Sequence, residues 1–194
     1  MVKSIHIILV WVILFGVTGC TKKQVATPKP RGYFRIEMPE HQYQSFDTAV
    51  LPFTFQCPVF TQCEIHPQGD TMTWLLINYP REMARLELSY QPLHNNMYDL
   101  AIEDRNFVEM HYVKADNVSQ REFRNDEAHV FGLYSDMEGR DVACPLHFWL
   151  TDSTSHFLRG TLYFNFTPNN DSVQPVIDYI RQDVQEMIET FKWK

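Results

Sequence analysis

Four β-rich runs, residues 118–125, 128–136, 142–150 and 156–166, follow one another with only the short links NDE, EGRD and DSTS between them. A parallel crossover needs a dozen residues or more, so links this short make neighbouring strands antiparallel. Two earlier runs obey the same rule: TMTWLLINYP and ARLELSY are joined by PREM, a hairpin-like or meander arrangement. An antiparallel sheet is therefore the framework, and the rest of the chain must cover it.

Two segments have the period to do so. From Asn95 to Lys114, residues Met97, Leu100, Ala101, Phe107, Val108 and His111 fall near one face of a 3.6-residue repeat, with Glu103, Asp104 and Glu109 expected mostly outside. The closing segment places Val176, Ile177, Ile180, Val184, Met187, Ile188 and Phe191 on a broad apolar stripe, with Asp171 or Ser172 as the expected cap and Pro175 in the first turn. A helix of ~18 residues is ~27 Å long and lies across a whole sheet. The expected class is α+β: a single antiparallel sheet flanked by helices, the last one long. Ahead of this, GYFRIEMP alternates as a short extended strand or arm and HPQGD reads as a turn. LPFTFQC, flanked by Pro52 and Pro58, reads as an edge strand.

The N-terminus is of another kind. Lys3 precedes an apolar stretch from Ile5 to Val17, which ends in Val17-Thr18-Gly19-Cys20. That stretch is shorter than the ~20 residues a spanning helix needs, and it reads as an export signal. The four residues around Cys20 resemble a bacterial lipobox, in which the Cys sulfur receives a diacylglyceryl group. Each buried acyl methylene contributes ~0.8 kcal/mol, so two or three chains anchor a small domain firmly. TKKQVATPKPRG then has too little apolar content to fold and reads as a tether. The expected organisation is a signal peptide at 1–19, a lipidated Cys20 with its tether to residue 32, and a single domain at 33–194. Lys22 and Lys23 replace the acids of surface-export tethers, and Thr21 replaces an inner-membrane retention Asp. A periplasm-facing protein follows, with the outer membrane favoured over the inner.

Composition excludes some partners. Loss of the signal removes Lys3 alone among charged residues and moves the formal charge from -7 to -8. No Lys/Arg cluster follows Arg35, so nucleic acid is not an expected partner. Cys57 and Cys63 flank PVFTQ, and their pairing in an oxidising compartment is an open possibility; Cys144 would then be the unpaired thiol.

Candidate chemistry is sparse. Asp152, Ser153, Ser155 and His156 offer the residue types of a serine hydrolase, but no GxSxG elbow surrounds either serine. DSTS is equally the composition of a polar turn, the favoured reading. The seven histidines outside the signal show no HExxH or compact cluster, so no metal site is expected. Glu103 with Asp104, and Asp126 with Glu127, are adjacent pairs that point apart and read as solvated surface. Nothing in the pattern calls for a cofactor.

PKPRGYFRIEMPEHQY, Lys114-Ala115, VFGLYSDMEG and above all the run from Thr151 to Trp193 resemble the GldD family of gliding-motility lipoproteins of Bacteroidetes. The middle, roughly residues 57–80 with Cys57 and Cys63, departs most from that pattern. The resemblance implies a lipid-anchored accessory component of the gliding machinery and the linked type IX secretion system, with no catalytic site. Its partners would be the bilayer, through acylated Cys20, and envelope proteins of the machinery. The element order also looks like the PsbP/Mog1 α/β/α sandwich, a docking fold. Tyr33, Phe34 and Arg35, and then Arg159, are the candidate docking residues, since aromatics and arginines dominate binding hot spots. A serine hydrolase and a small-ligand or lipid-binding lipoprotein are the alternatives.

Overall fold

The structure, a computed structural model, describes residues 36–69, 71–167 and 169–194. Cys20, Tyr33, Phe34 and Arg35 lie outside the described residues. In chain order the elements are β1 (Tyr43–Phe46), β2 (Phe53–Pro58), β3 (Gln62–Gln68), β4 (Met72–Tyr79), β5 (Ala84–Pro92), α1 (Met97–Tyr112), β6 (Asn117–Asn125), β7 (Val130–Glu138), β8 (Leu146–Thr151), β9 (His156–Phe164), α2 (Asn170–Glu189) and β10 (Lys192–Trp193).

The expected single sheet is two. Seven strands run in the order β3-β4-β5-β9-β8-β7-β6 and three in the order β1-β2-β10, and every pairing is antiparallel. LPFTFQC supplies a central strand rather than an edge, because its two prolines sit outside or at the end of β2 and leave its interior N–H groups to pair on both sides. His66, Pro67 and Gln68, expected in a turn, end β3. That strand lies on the sheet's border and is exposed along most of both faces, so it carries no alternation to read. Between Ile36 and Met38 there is no strand; the arm runs irregularly to β1.

The two faces of the large sheet are covered differently. Leu146, Phe148 and Leu150 of β8 and Leu158 and Leu162 of β9 join Val176, Ile180, Val184 and Ile188 of α2 in the main core, together with Phe53 and Phe55 of β2. On the opposite face, by the two-residue period of a strand, Leu93, Leu100 and Phe157 form a second cluster under α1, and Val108, Met137, Val142 and Cys144 a third. All seven stripe residues expected on the last helix segment are buried. Its cap differs: Asn169 precedes the helix, and Asp171 and Ser172 lie inside its first turn.

Within the large sheet, one cross-strand contact has no slack. A Cβ on Gly160 of β9 would come within 2.1 Å of the Phe148 ring, so only glycine lets that ring lie flat on the strand.

Candidate functional site

The DSTS link is a closed turn between β8 and β9. Asp152 Oδ1 accepts from the backbone N–H groups of Thr154 (3.0 Å), Ser155 (2.8 Å) and His156 (2.8 Å), and its Oδ2 accepts from the Thr154 hydroxyl at 3.0 Å. Burial pushes this carboxyl up, but the donors outweigh it and hold the pKa at about 2. Ser153 takes a left-handed φ of 71° at the apex, a position that short polar side chains tolerate. His156 hydrogen-bonds through Nδ1 to the Tyr90 hydroxyl (2.9 Å) and stacks on Trp193 with centroids 4.9 Å apart. Carboxylate and imidazole are thus each held by other groups, and the turn reading stands.

The turn does form one wall of a broad recess. An open cleft of about 890 Å³ lies between Asp152–His156, the β6–β7 turn at Asn125–His129, and Lys192–Lys194 at the end of the chain. Three segments remote in sequence meet there, two of them inside the stretch that most resembles the GldD pattern. Trp193 and His156 supply aromatic surface, while Asp152, Glu127 and Lys192 supply charge of both signs.

A second constellation lies on the other side of the large sheet. Asp104 of α1, expected outside, is 2% exposed. Its Oδ1 accepts from His147 Nε2 at 2.7 Å and from Arg159 Nε at 3.0 Å, while His147 Nδ1 meets the Thr161 hydroxyl at 2.9 Å. Carboxylate, imidazole and hydroxyl stand in the order of a catalytic relay. Yet His147 is fully buried and Thr161 nearly so, which leaves no room for a substrate carbonyl beside the hydroxyl. The chain of bonds instead fastens α1 to β8 and β9. Arg159 is part of the clamp, with its guanidinium over the Phe157 ring and its Nη2 enclosed without a partner among the described residues.

A third cluster fastens the N-terminal arm. Asp183 of α2, 1% exposed, accepts from His41 Nδ1 at 2.7 Å and from the Tyr43 hydroxyl at 3.0 Å, and the His41 ring stacks on Tyr179 at 4.2 Å. Burial raises the Asp183 carboxyl above its usual range despite these donors. Nearby, the sulfurs of Cys57 and Cys63 lie 3.6 Å apart as free thiols, one buried and one exposed. The contact with Cys63 favours the Cys57 thiolate, while Cys57 and burial push the Cys63 thiol up; the Thr61 hydroxyl, 3.2 Å from the Cys57 sulfur, donates to the Pro58 carbonyl.

Asp104 and Asp183 escaped the sequence reading, although a signal was present. Asp104 sits four residues after Leu100 and four before Val108, and Asp183 stands between Ile180 and Met187. A carboxylate on an apolar stripe needs an internal partner. Among the described residues no three His, Cys, Asp or Glu side chains gather as a metal would require, and no helix is long and apolar enough to cross a membrane.

No curated protein matches the chain. Residues 23–193 match the family described as gliding motility lipoprotein GldD, a span that holds every strand and helix described above. The chain therefore belongs to the GldD family of gliding motility lipoproteins.

Proposed function

We propose that the protein is a periplasm-facing docking module of the gliding machinery and the type IX secretion system linked to it, held on the membrane by acyl groups at Cys20 and without enzymatic activity of its own. The family match over residues 23–193 carries this reading. The side chains that first invited a hydrolase support it from the other direction, because Asp152 and His156 are engaged by the turn, Tyr90 and Trp193. A small-ligand pocket under α2 is disfavoured because Phe148, Leu158, Val176, Ile180 and Val184 are buried together in the core there. Helices on both faces of an antiparallel sheet are consistent with the PsbP/Mog1 type of docking sandwich, an analogy of fold alone.

Tyr33, Phe34 and Arg35 remain docking candidates at the end of the tether. Arg159, tied to Asp104, contributes by holding α1 in place. The cleft beside Asp152 is a recess open to a partner's side chains. The tether of roughly eleven residues reaches at most ~40 Å, which keeps any partner close to the bilayer.

The test combines anchoring and assembly in a gliding host. Wild-type protein should partition into detergent, restore spreading to a deletion strain, and crosslink to motility or secretion components in native envelopes. Cys20→Ala should fail at the first two. Normal spreading with an unanchored protein, or crosslinks to no component of the machinery, would overturn the proposal. Specific labelling by a serine-reactive phosphonate, lost in a Ser153→Ala/Ser155→Ala double mutant, would revive the hydrolase.

A further inference from the structure

The large sheet has two borders, and they are not alike. Hydrogen-bonded pairs alternate along an antiparallel ladder, so one known bond fixes which residues face outward. Met137 N bonds to Pro145 O, in register with the β7–β8 ladder, so odd residues of β7 bond to β8 and even ones to β6. Through the β6–β7 register the odd residues of β6 are used, and Val118, Gln120, Glu122 and Arg124 turn their N–H and C=O groups away from the sheet. At the other border, Leu93 N bonds to Ser155 O, and the same counting leaves Cys63, Ile65 and Pro67 of β3 facing outward. Pro67 has no N–H, so that border is blunted in the way edge strands usually are.

β6 has no proline to blunt it, although Arg121, Glu122 and Arg124 stand along it. It spans nine residues without proline or glycine, and a recess flanks it on each face of the sheet. On the α1 side a hollow of about 490 Å³ has Leu133, Trp149, Val108 and Tyr112 in its walls. On the α2 side one of about 250 Å³ is walled by Phe123, Tyr134 and Ile188. Arginines along this border already have acids: Arg105 pairs with Glu109 at 2.8 Å, Arg121 with Asp136 at 3.4 Å and Arg124 with Asp126 at 2.7 Å. Glu122 and Glu189, in the wall of the α2-side hollow, stand outside these pairs, so a segment laid here carries no acid. It needs main-chain groups to match β6, and apolar side chains that alternate between the two hollows.

We propose that β6 is a docking edge, to which an extended, apolar-rich segment of a partner protein, free of acidic residues, adds as an eighth strand. The proposal rests on the docking reading above and gives it a place and a partner chemistry. A second copy fits less well, because the fully overlapped two-fold pairing sets Arg121 directly against Arg121, and like charges opposite one another are destabilising.

The test is site-specific photocrosslinking of the full, anchored chain in native envelopes. The probe stands at Arg124, with Lys192 beside the cleft as comparison, and the captured peptide is mapped by mass spectrometry. The expected product at Arg124 is an extended, acid-free segment of an envelope protein. Glu122→Pro removes an outward N–H but no bond to β7, and should lower its yield by about tenfold or more while the melting curve stays put. If Glu122→Pro fails to fold, Gln120→Lys keeps the backbone and sets a new charge in the α1-side hollow where an apolar side chain would lie; a loss of about fivefold is then expected. Undiminished capture by a folded Glu122→Pro or Gln120→Lys protein, capture of an acidic segment, or capture of a second copy would each overturn the proposal. Capture at Lys192 but not at Arg124 would remove the edge and leave the docking reading intact. Capture at neither would remove the edge.

Discussion

Asp152 shows what a single carboxylate does when three N–H groups converge on it. Asp152→Ala leaves those donors without their acceptor, and a loss of about 1–3 kcal/mol in urea unfolding is expected. The pH dependence has a definite sign. The folded pKa lies near 2, below the unfolded value, so the contribution is present above roughly pH 4 and disappears as pH falls through about 2. Solvent screening at this half-exposed site limits it to the order of 1 kcal/mol. Wild type should therefore lose stability in that window relative to Asp152→Asn, and parallel curves for the two would contradict this. Gly160 acts through volume instead: Gly160→Ala must displace the Phe148 ring, at about 1–3 kcal/mol, measurable as a lowered melting temperature. DSTS was legible as a turn because Asp and Ser have few other uses between two strands. The closeness of Gly160 to Phe148 was not, because it depends on the register of β8 against β9.

Elements were legible where one periodicity dominated. The last helix shows a full stripe, and every stripe residue is buried. α1 was found as a helix, but its charge pattern misled at Asp104, because adjacent acids look alike until the sheet partners are known. Glu103 is exposed, while Asp104 is held by His147 and Arg159. Few apolar residues of α1 face the sheet deeply, and Tyr98, Met110 and Val113 are more than two-thirds exposed. The buried polar chain should therefore matter more to α1 than packing does. Asp104→Ala strands the His147 N–H and the Arg159 guanidinium inside the protein, at a cost of about 3–5 kcal/mol. Asp104→Asn keeps an acceptor and should cost less. Proteolysis under native conditions offers the local readout: cleavage within Met97–Tyr112 should rise in Asp104→Ala before cleavage in β8 or β9 does. Equal rates across these elements would mean that the clamp supports the whole fold rather than the helix.

On the scale of the molecule, the feature hidden from the sequence was the division into two sheets. Short links reveal antiparallel neighbours, but they do not say where one sheet stops, and β2 and β3 follow each other in sequence while belonging to different sheets. Only Val59 to Thr61 separate them, and Cys57 and Cys63 stand on either side with sulfurs 3.6 Å apart. A disulfide here would tie the small sheet to the border of the large one. In an oxidising compartment that pairing is expected, and closing so short a loop contributes roughly 2 kcal/mol on the chain-entropy account. Cys144 cannot substitute, since it is fully buried and burial pushes its thiol pKa up. Protein taken from native envelopes under alkylation should thus show one modifiable thiol after unfolding, and three after reduction. Reductant should lower the urea midpoint of wild type and leave Cys57→Ser/Cys63→Ser unchanged, with reduced wild type and the double mutant nearly coincident. If wild type yields three thiols without reduction, the small sheet is held by the aromatic packing of Phe53, Phe55, Phe191 and Trp193 and by the His41–Asp183 clasp without a covalent tie. In that case Asp183→Ala should loosen the N-terminal arm with or without reductant present.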